Sequence, residues 1–160
     1  MTATSPYRSL APERRVALLT HLLKSSREAR ALYVQRIVAK GGGFRAVTLG
    51  SWPPDKLAKE IVRMKAENAQ DELDLLQLLY VELEPDIQIT FFDAAGVTHD
   101  MGKLPDDLEL PYASADAVQR AAPVVKEKHG EDGMRYLRTI ARYAGDAWPG
   151  INDAVTALEA

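Results

Sequence analysis

Three histidines and several clustered carboxylates are the side chains of this sequence suited to acid–base or metal chemistry. His99 and Asp100 are adjacent, and an imidazole beside a carboxylate is a metal-ligating combination. Position argues against that use. On the strand expected here neighbouring side chains point to opposite faces. The other upstream histidine, His21, lies far away, and no second histidine–aspartate pair follows. His99 is therefore expected to have its nitrogen satisfied locally, and neither a metal nor a cofactor is expected. Carboxylates gather at Asp71, Glu72 and Asp74 and again at Asp106 and Asp107. Acids at a helix start complement its dipole without any catalytic role. A small enzyme built on carboxylates from distant segments is the third reading of function.

Nucleophiles and phosphate loops are no better supported. There is no cysteine and no G-x-S-x-G elbow. The glycines Gly41-Gly42-Gly43 leave a helix, whereas a phosphate loop enters one. They are read as a helix C-cap. Gly102-Lys103 lacks the spacing of a nucleotide loop and the Ser/Thr that follows it.

The last strong helix carries more information. Arg135, Arg138 and Arg142 recur at i, i+3 and i+7 and so share a face, with Tyr136 and Tyr143 alongside. Forked guanidinium donors beside rigid aromatic rings suit an acidic protein surface. These five residues are the expected partner contacts. The bland alternative is a solvated arginine face over a Tyr/Leu/Ile core, with the acidic loop 106–109 as an internal partner. Trp52 and Trp148, each followed by proline, are expected to be lids on the core.

Charge is strongly segregated. The net charge is −3, yet residues 1–48 hold nine basic against two acidic side chains, and residues 49–116 hold five against fifteen. The basic start supports a second reading, a nucleic-acid-binding regulator using helices 13–40. In a winged-helix arrangement 26–40 would be the recognition helix, presenting Arg27, Arg30, Arg36 and Lys40, with 44–49 opening the wing.

These residues must be placed by a mostly helical chain of 160 residues, 46% hydrophobic and 27% charged. That size suits one globular domain, expected over 12–145. Residues 1–11 are expected to be flexible, and 146–160 to form a tail that includes a short docked helix. Pro12 opens a helix, and Ser25 with Glu28 reads as a capping box dividing 13–24 from 26–40. Further helices are predicted at 54–67, 71–83, 115–128 and 132–144. Ile87, Ile89 and Phe91 alternate with Gln88, Thr90 and Phe92, and Asp93-Ala94-Ala95-Gly96 reads as a turn. The fold class expected is therefore α+β, predominantly helical, with helical hairpins packed around a small sheet of strand 44–49 and hairpin 86–101. The expected core is Leu19, Leu23, Ile37, Leu57, Ile61, Leu75, Leu76, Leu79, Ile87, Ile89, Phe91, Leu137 and Ile140.

The first residues lack the apolar core of a signal peptide, and no apolar run approaches the roughly 20 residues of a membrane span. Alanine and arginine richness suits a GC-rich bacterial genome. The expectation is a non-catalytic cytoplasmic interaction or regulatory protein. It docks an acidic partner through basic helical faces or self-associates, and it has no membrane role.

Overall fold

The structure, a computed structural model, describes residues 4–160. Among them are eight helices and no β-strand. They are α1 (Pro12–Ser25), α2 (Arg27–Ala39), α3 (Ala46–Gly50), α4 (Pro54–Met64), α5 (Ala69–Gln77), α6 (Asp86–Ala95), α7 (Ala115–Tyr143) and α8 (Ile151–Glu159). A π-helical turn, Leu78–Leu83, continues α5.

The α+β expectation is thus corrected to an all-helical fold. Segment 86–101 forms no hairpin. Six alternating residues are too few to separate a strand from a helix, and burial of Ile87, Thr90 and Phe91 follows the i, i+3, i+4 rule of a helix face. Gly96 ends α6 instead of turning a hairpin. Its φ is 72°, its amide donates to Asp93 O at 3.2 Å, and the Val97 amide donates to Phe92 O at 2.9 Å. Those two bonds make a Schellman cap. Segment 44–49 finds no neighbouring strand to pair its amides, and one helical turn satisfies them locally, as in Leu49 N–H to Arg45 O at 3.1 Å.

Two compact units divide the chain within α5. In Tyr7–Leu75, α1 packs chiefly on α4, and α2 packs on α1 and α3. The helices α4 and α5, adjacent in the chain, are not among the main packing pairs, so they do not form a tight helical hairpin. Leu19, Ile37, Leu57 and Ile61 are fully enclosed, together with Tyr7, Leu10 and Tyr33. The flexibility expected of 1–11 concerns, for residues 1–3, positions outside the described residues. The α1–α2 break falls where expected, but its cap is Ser26, whose Oγ accepts the Ala29 amide at 3.1 Å. The Ser25 hydroxyl donates back to His21 O. Gly41 (φ 79°) ends α2. Asn68 and Asp71 cap α5 reciprocally, each side chain accepting the other's amide at 2.9 and 3.0 Å.

The second unit holds Leu76–Ala160 and the described residues before Tyr7. Here α6 and α8 each pack on α7. The α7 break lies at Gly130 (φ 59°, ψ −132°), while Pro123 is accommodated inside the helix. Trp148 lies edge-on to Phe91 at 4.8 Å and stacked on Phe92 at 5.5 Å, forming the aromatic centre of this unit. Of the predicted core residues all are buried except Ile89, which is half-buried. No helix among the described residues is long and apolar enough to cross a membrane.

Candidate interaction site

The arginine row predicted for the last helix occupies the half of α7 beyond Gly130, and two of its three charges are already engaged. Arg135 is 8% exposed, and its Nη1 donates to Asp132 Oδ1 at 2.6 Å. Arg138 donates to Glu131 Oε1 at 2.7 Å and, through Nε, to Glu159 Oε1 of α8 at 2.5 Å. These carboxylates hold the Arg138 guanidinium above its usual range. Tyr136 is 2% exposed, and its hydroxyl donates to Gln88 Oε1 at 3.2 Å. Burial pushes its pKa well up. Arg142 is exposed, with its guanidinium 5.7 Å from the Tyr143 ring centre. Arg138 and Arg142 also line a cleft of about 240 Å³ with Thr4 and Pro6. The three arginines lie on one helix as expected, but the carboxylate partners of Arg135 and Arg138 are Glu131, Asp132 and Glu159 and not loop 106–109.

The basic residues of α2 divide in two. Arg30 donates to Gly50 O at 3.0 Å and to Trp52 O, fixing the loop after α3. Arg36 pairs with Asp71 and donates to Ala66 O at 3.4 Å. Arg27 and Lys40 are exposed with no ion-pair partner among the described residues, and so is Arg45. The helix explains the division: Tyr33, Val34 and Ile37 face the core, whereas Arg27, Ala31, Leu32, Gln35, Val38 and Ala39 face outward.

That outward face is the feature the sequence reading missed. Leu32 is 45% and Val38 42% exposed, and beyond the glycines Phe44 is 37% and Val47 85% exposed. The signal was present, since α2 carries apolar residues all round and so keeps several outside whichever face it buries. Phe44 lies edge-on to Trp52 at 4.9 Å, and Lys56 Nζ sits 4.3 Å over the same indole. Trp52 is half-buried, and Trp148 is the buried one. Tyr7–Leu75 holds thirteen basic and eight acidic side chains, a net charge of +5.

No family model, curated protein or solved structure matches this chain. Its chemistry has to be read from the residues themselves.

A cleft of about 460 Å³ in the second unit is lined by Asp86, Thr90, Asp93 and His129, a set that could pass for a hydrolytic site. The hydrogen bonds assign other roles. The Thr90 hydroxyl gives its proton to Asp86 O at 2.8 Å, so His129 Nε2 at 2.9 Å must donate to it. A base that donates to the hydroxyl does not activate it. Asp93 is taken by His99, whose Nε2 lies 2.6 Å from Oδ1 and whose Nδ1 accepts the Gly102 amide at 3.0 Å. Both His99 nitrogens are satisfied nearby, in irregular chain just before the 100–103 turn and not on the strand expected.

Proposed function

We propose that this protein is a non-catalytic interaction module, and that it docks an acidic protein partner through the outward face of α2 and the segment leading into α3. The carrying observation is the exposure of Leu32, Val38, Phe44 and Val47 among Arg27, Lys40 and Arg45. Protein interfaces combine an apolar centre with a charged rim that steers and registers the partner. A phosphate backbone needs cations and has no use for that apolar centre. Two of the four basic residues weighed for nucleic acid, Arg30 and Arg36, are spent on their own chain, which favours a protein partner. The cysteine-free sequence suits the reducing cytoplasm as the setting.

The test is capture from cell lysate with and without nuclease, comparing wild type with Lys40→Glu/Arg45→Glu, Val38→Asp/Val47→Asp and Arg142→Glu. All the changed side chains are exposed, and thermal melting confirms that each variant folds. Acidic protein retained after nuclease should fall about tenfold or more with either of the first two variants and persist with the third. Capture indifferent to both face variants overturns the assignment. Captured material that vanishes with nuclease moves the function to nucleic acid, and recovery of the chain itself makes the partner a second copy.

A further inference from the structure

We infer that the acidic partner of the α2–α3 face is a second copy of this chain, docked through its exposed strap 100–110. The inference rests on the docking reading above and names the occupant of that same face. Apolar exposure and charge together select the strap. Met101 is 73% and Leu110 59% exposed. Asp100, Asp106, Asp107 and Glu109 flank them in the chain, all exposed, against the single cation Lys103. The strap thus repeats the composition of the α2–α3 face with the sign reversed, since Leu32, Val38, Phe44 and Val47 stand there among Arg27, Lys40 and Arg45.

An apolar centre with a charged rim is what each side of a protein interface presents, and opposite rims steer the two together. Each patch has the sign of the unit that carries it. Tyr7–Leu75 has a net charge of +5, whereas Leu76–Ala160 holds seven basic and fifteen acidic side chains, a net charge of −8. Elsewhere in the second unit, Leu83 between Glu82 and Glu84 offers one exposed apolar side chain where the strap offers two.

The strap is held in shape. The backbones of Asp100 and Lys103 exchange hydrogen bonds at 2.8 and 3.0 Å, and the Leu108 amide donates to Pro105 O at 3.1 Å. Gln88 Nε2 donates to Gly102 O at 2.7 Å, and the Tyr112 amide donates to Ala147 O at 3.0 Å beyond the far end. A surface ordered before docking loses less freedom on docking.

Two copies could also join face to face. That arrangement would set Arg27, Lys40 and Arg45 of one copy against the same cations of the other, and like charges across an interface oppose binding. Face-to-strap docking avoids the clash. Its two surfaces differ, so the contact is heterologous, and assembly closes into a ring or grows as a chain.

Sedimentation velocity of the full-length protein over a concentration series is the test. Wild type should self-associate, less so as salt is raised. The face variant Lys40→Glu/Arg45→Glu and the strap variant Asp106→Asn/Asp107→Asn/Leu110→Ala should each associate about tenfold more weakly or worse. Thermal melting confirms that both fold. Mixed one to one, they should form a dimer that neither forms alone, because one supplies an intact strap and the other an intact face. A monomeric wild type, self-association unchanged in the strap variant, or a mixture that stays monomeric overturns the inference. Lysate capture separates that failure from failure of the docking reading. A foreign acidic protein lost with the face variant and kept by the strap variant leaves the docking reading standing and overturns the second copy as its partner.

Discussion

The Tyr7 hydroxyl donates a 2.5 Å hydrogen bond to Glu67 Oε2 across a sequence separation of 60 residues. Both side chains are buried, and the Glu67 side chain has no exposure at all. Arg8 stands next to them, with Nη2 donating to Glu67 O at 3.0 Å and Nη1 3.6 Å from Oε1. A buried carboxylate is tolerated only with donors and a countercharge of this kind. Tyr7→Phe removes one donor and keeps the ring. It should cost about 2 kcal/mol, the range for a hydrogen bond to a charged group. Urea unfolding reads the change, and an unmoved midpoint would show that Glu67 does not depend on the hydroxyl.

Alkaline stability should report the same tyrosines. Burial first, and then the Glu67 contact, pushes Tyr7 above its usual pKa; burial does the same for Tyr33 and Tyr136. A raised folded pKa on a tyrosine means that the folded state keeps the proton after the unfolded chain has lost it. Stability from these three groups is fully present below about pH 10 and falls above it. Each contributes a slope of about 1.4 kcal/mol per pH unit there. Denaturant midpoints between pH 9 and pH 11 should decline steeply in the wild type and less in Tyr7→Phe. Equal slopes would contradict the shift at Tyr7.

Arg138 ties α8 to α7 through Glu159 while also meeting Glu131. Arg138→Ala should therefore loosen α8 with a global cost below about 1 kcal/mol, as is usual for partly exposed ion pairs. Hydrogen exchange of the Ile151–Glu159 amides is the measurement, and protection should fall there and persist in α6. Arg142→Glu should leave both unchanged. Reversing all three arginines at once would combine this loosening with loss of the Arg135–Asp132 contact, so it does not cleanly test docking.

Much of the helical layout was legible because its signals are local. Pro12 at a helix start and the glycine in a left-handed conformation at 41 after α2 act within one turn. Gly96 shows the limit, for the same residue type ends a helix or turns a hairpin. Choosing between them requires knowing whether a second strand exists. Glu67 shows another limit. It sits in the polar run 67–72, and nothing nearby in sequence marks it as the carboxylate that meets Tyr7. Arg135 and Arg138 were rightly placed on one face of a helix, but Glu159 arrives from α8. Spacing along one helix describes its face and says nothing of what covers it.

The break in α7 makes the sharpest stability prediction. After Gly130 the chain turns so closely that a Cβ on Gly133 would lie 2.5 Å from Val125 O, a backbone atom that cannot swing aside. At Gly41 a Cβ meets nothing within 4 Å, and the only penalty is its φ of +79°. Gly41→Ala should thus cost about 1 kcal/mol, the strain of a left-handed non-glycine residue. Gly133→Ala adds overpacking of roughly 1–3 kcal/mol and must shift the two halves of α7 apart. Thermal melts of the two variants should separate clearly, with Gly133→Ala the lower. The chemical-shift changes of Gly133→Ala should reach Val125 and the α6 residues packed on this helix. If Gly133→Ala melts with or above Gly41→Ala, the close approach of residues 125 and 133 is not a feature of the folded protein.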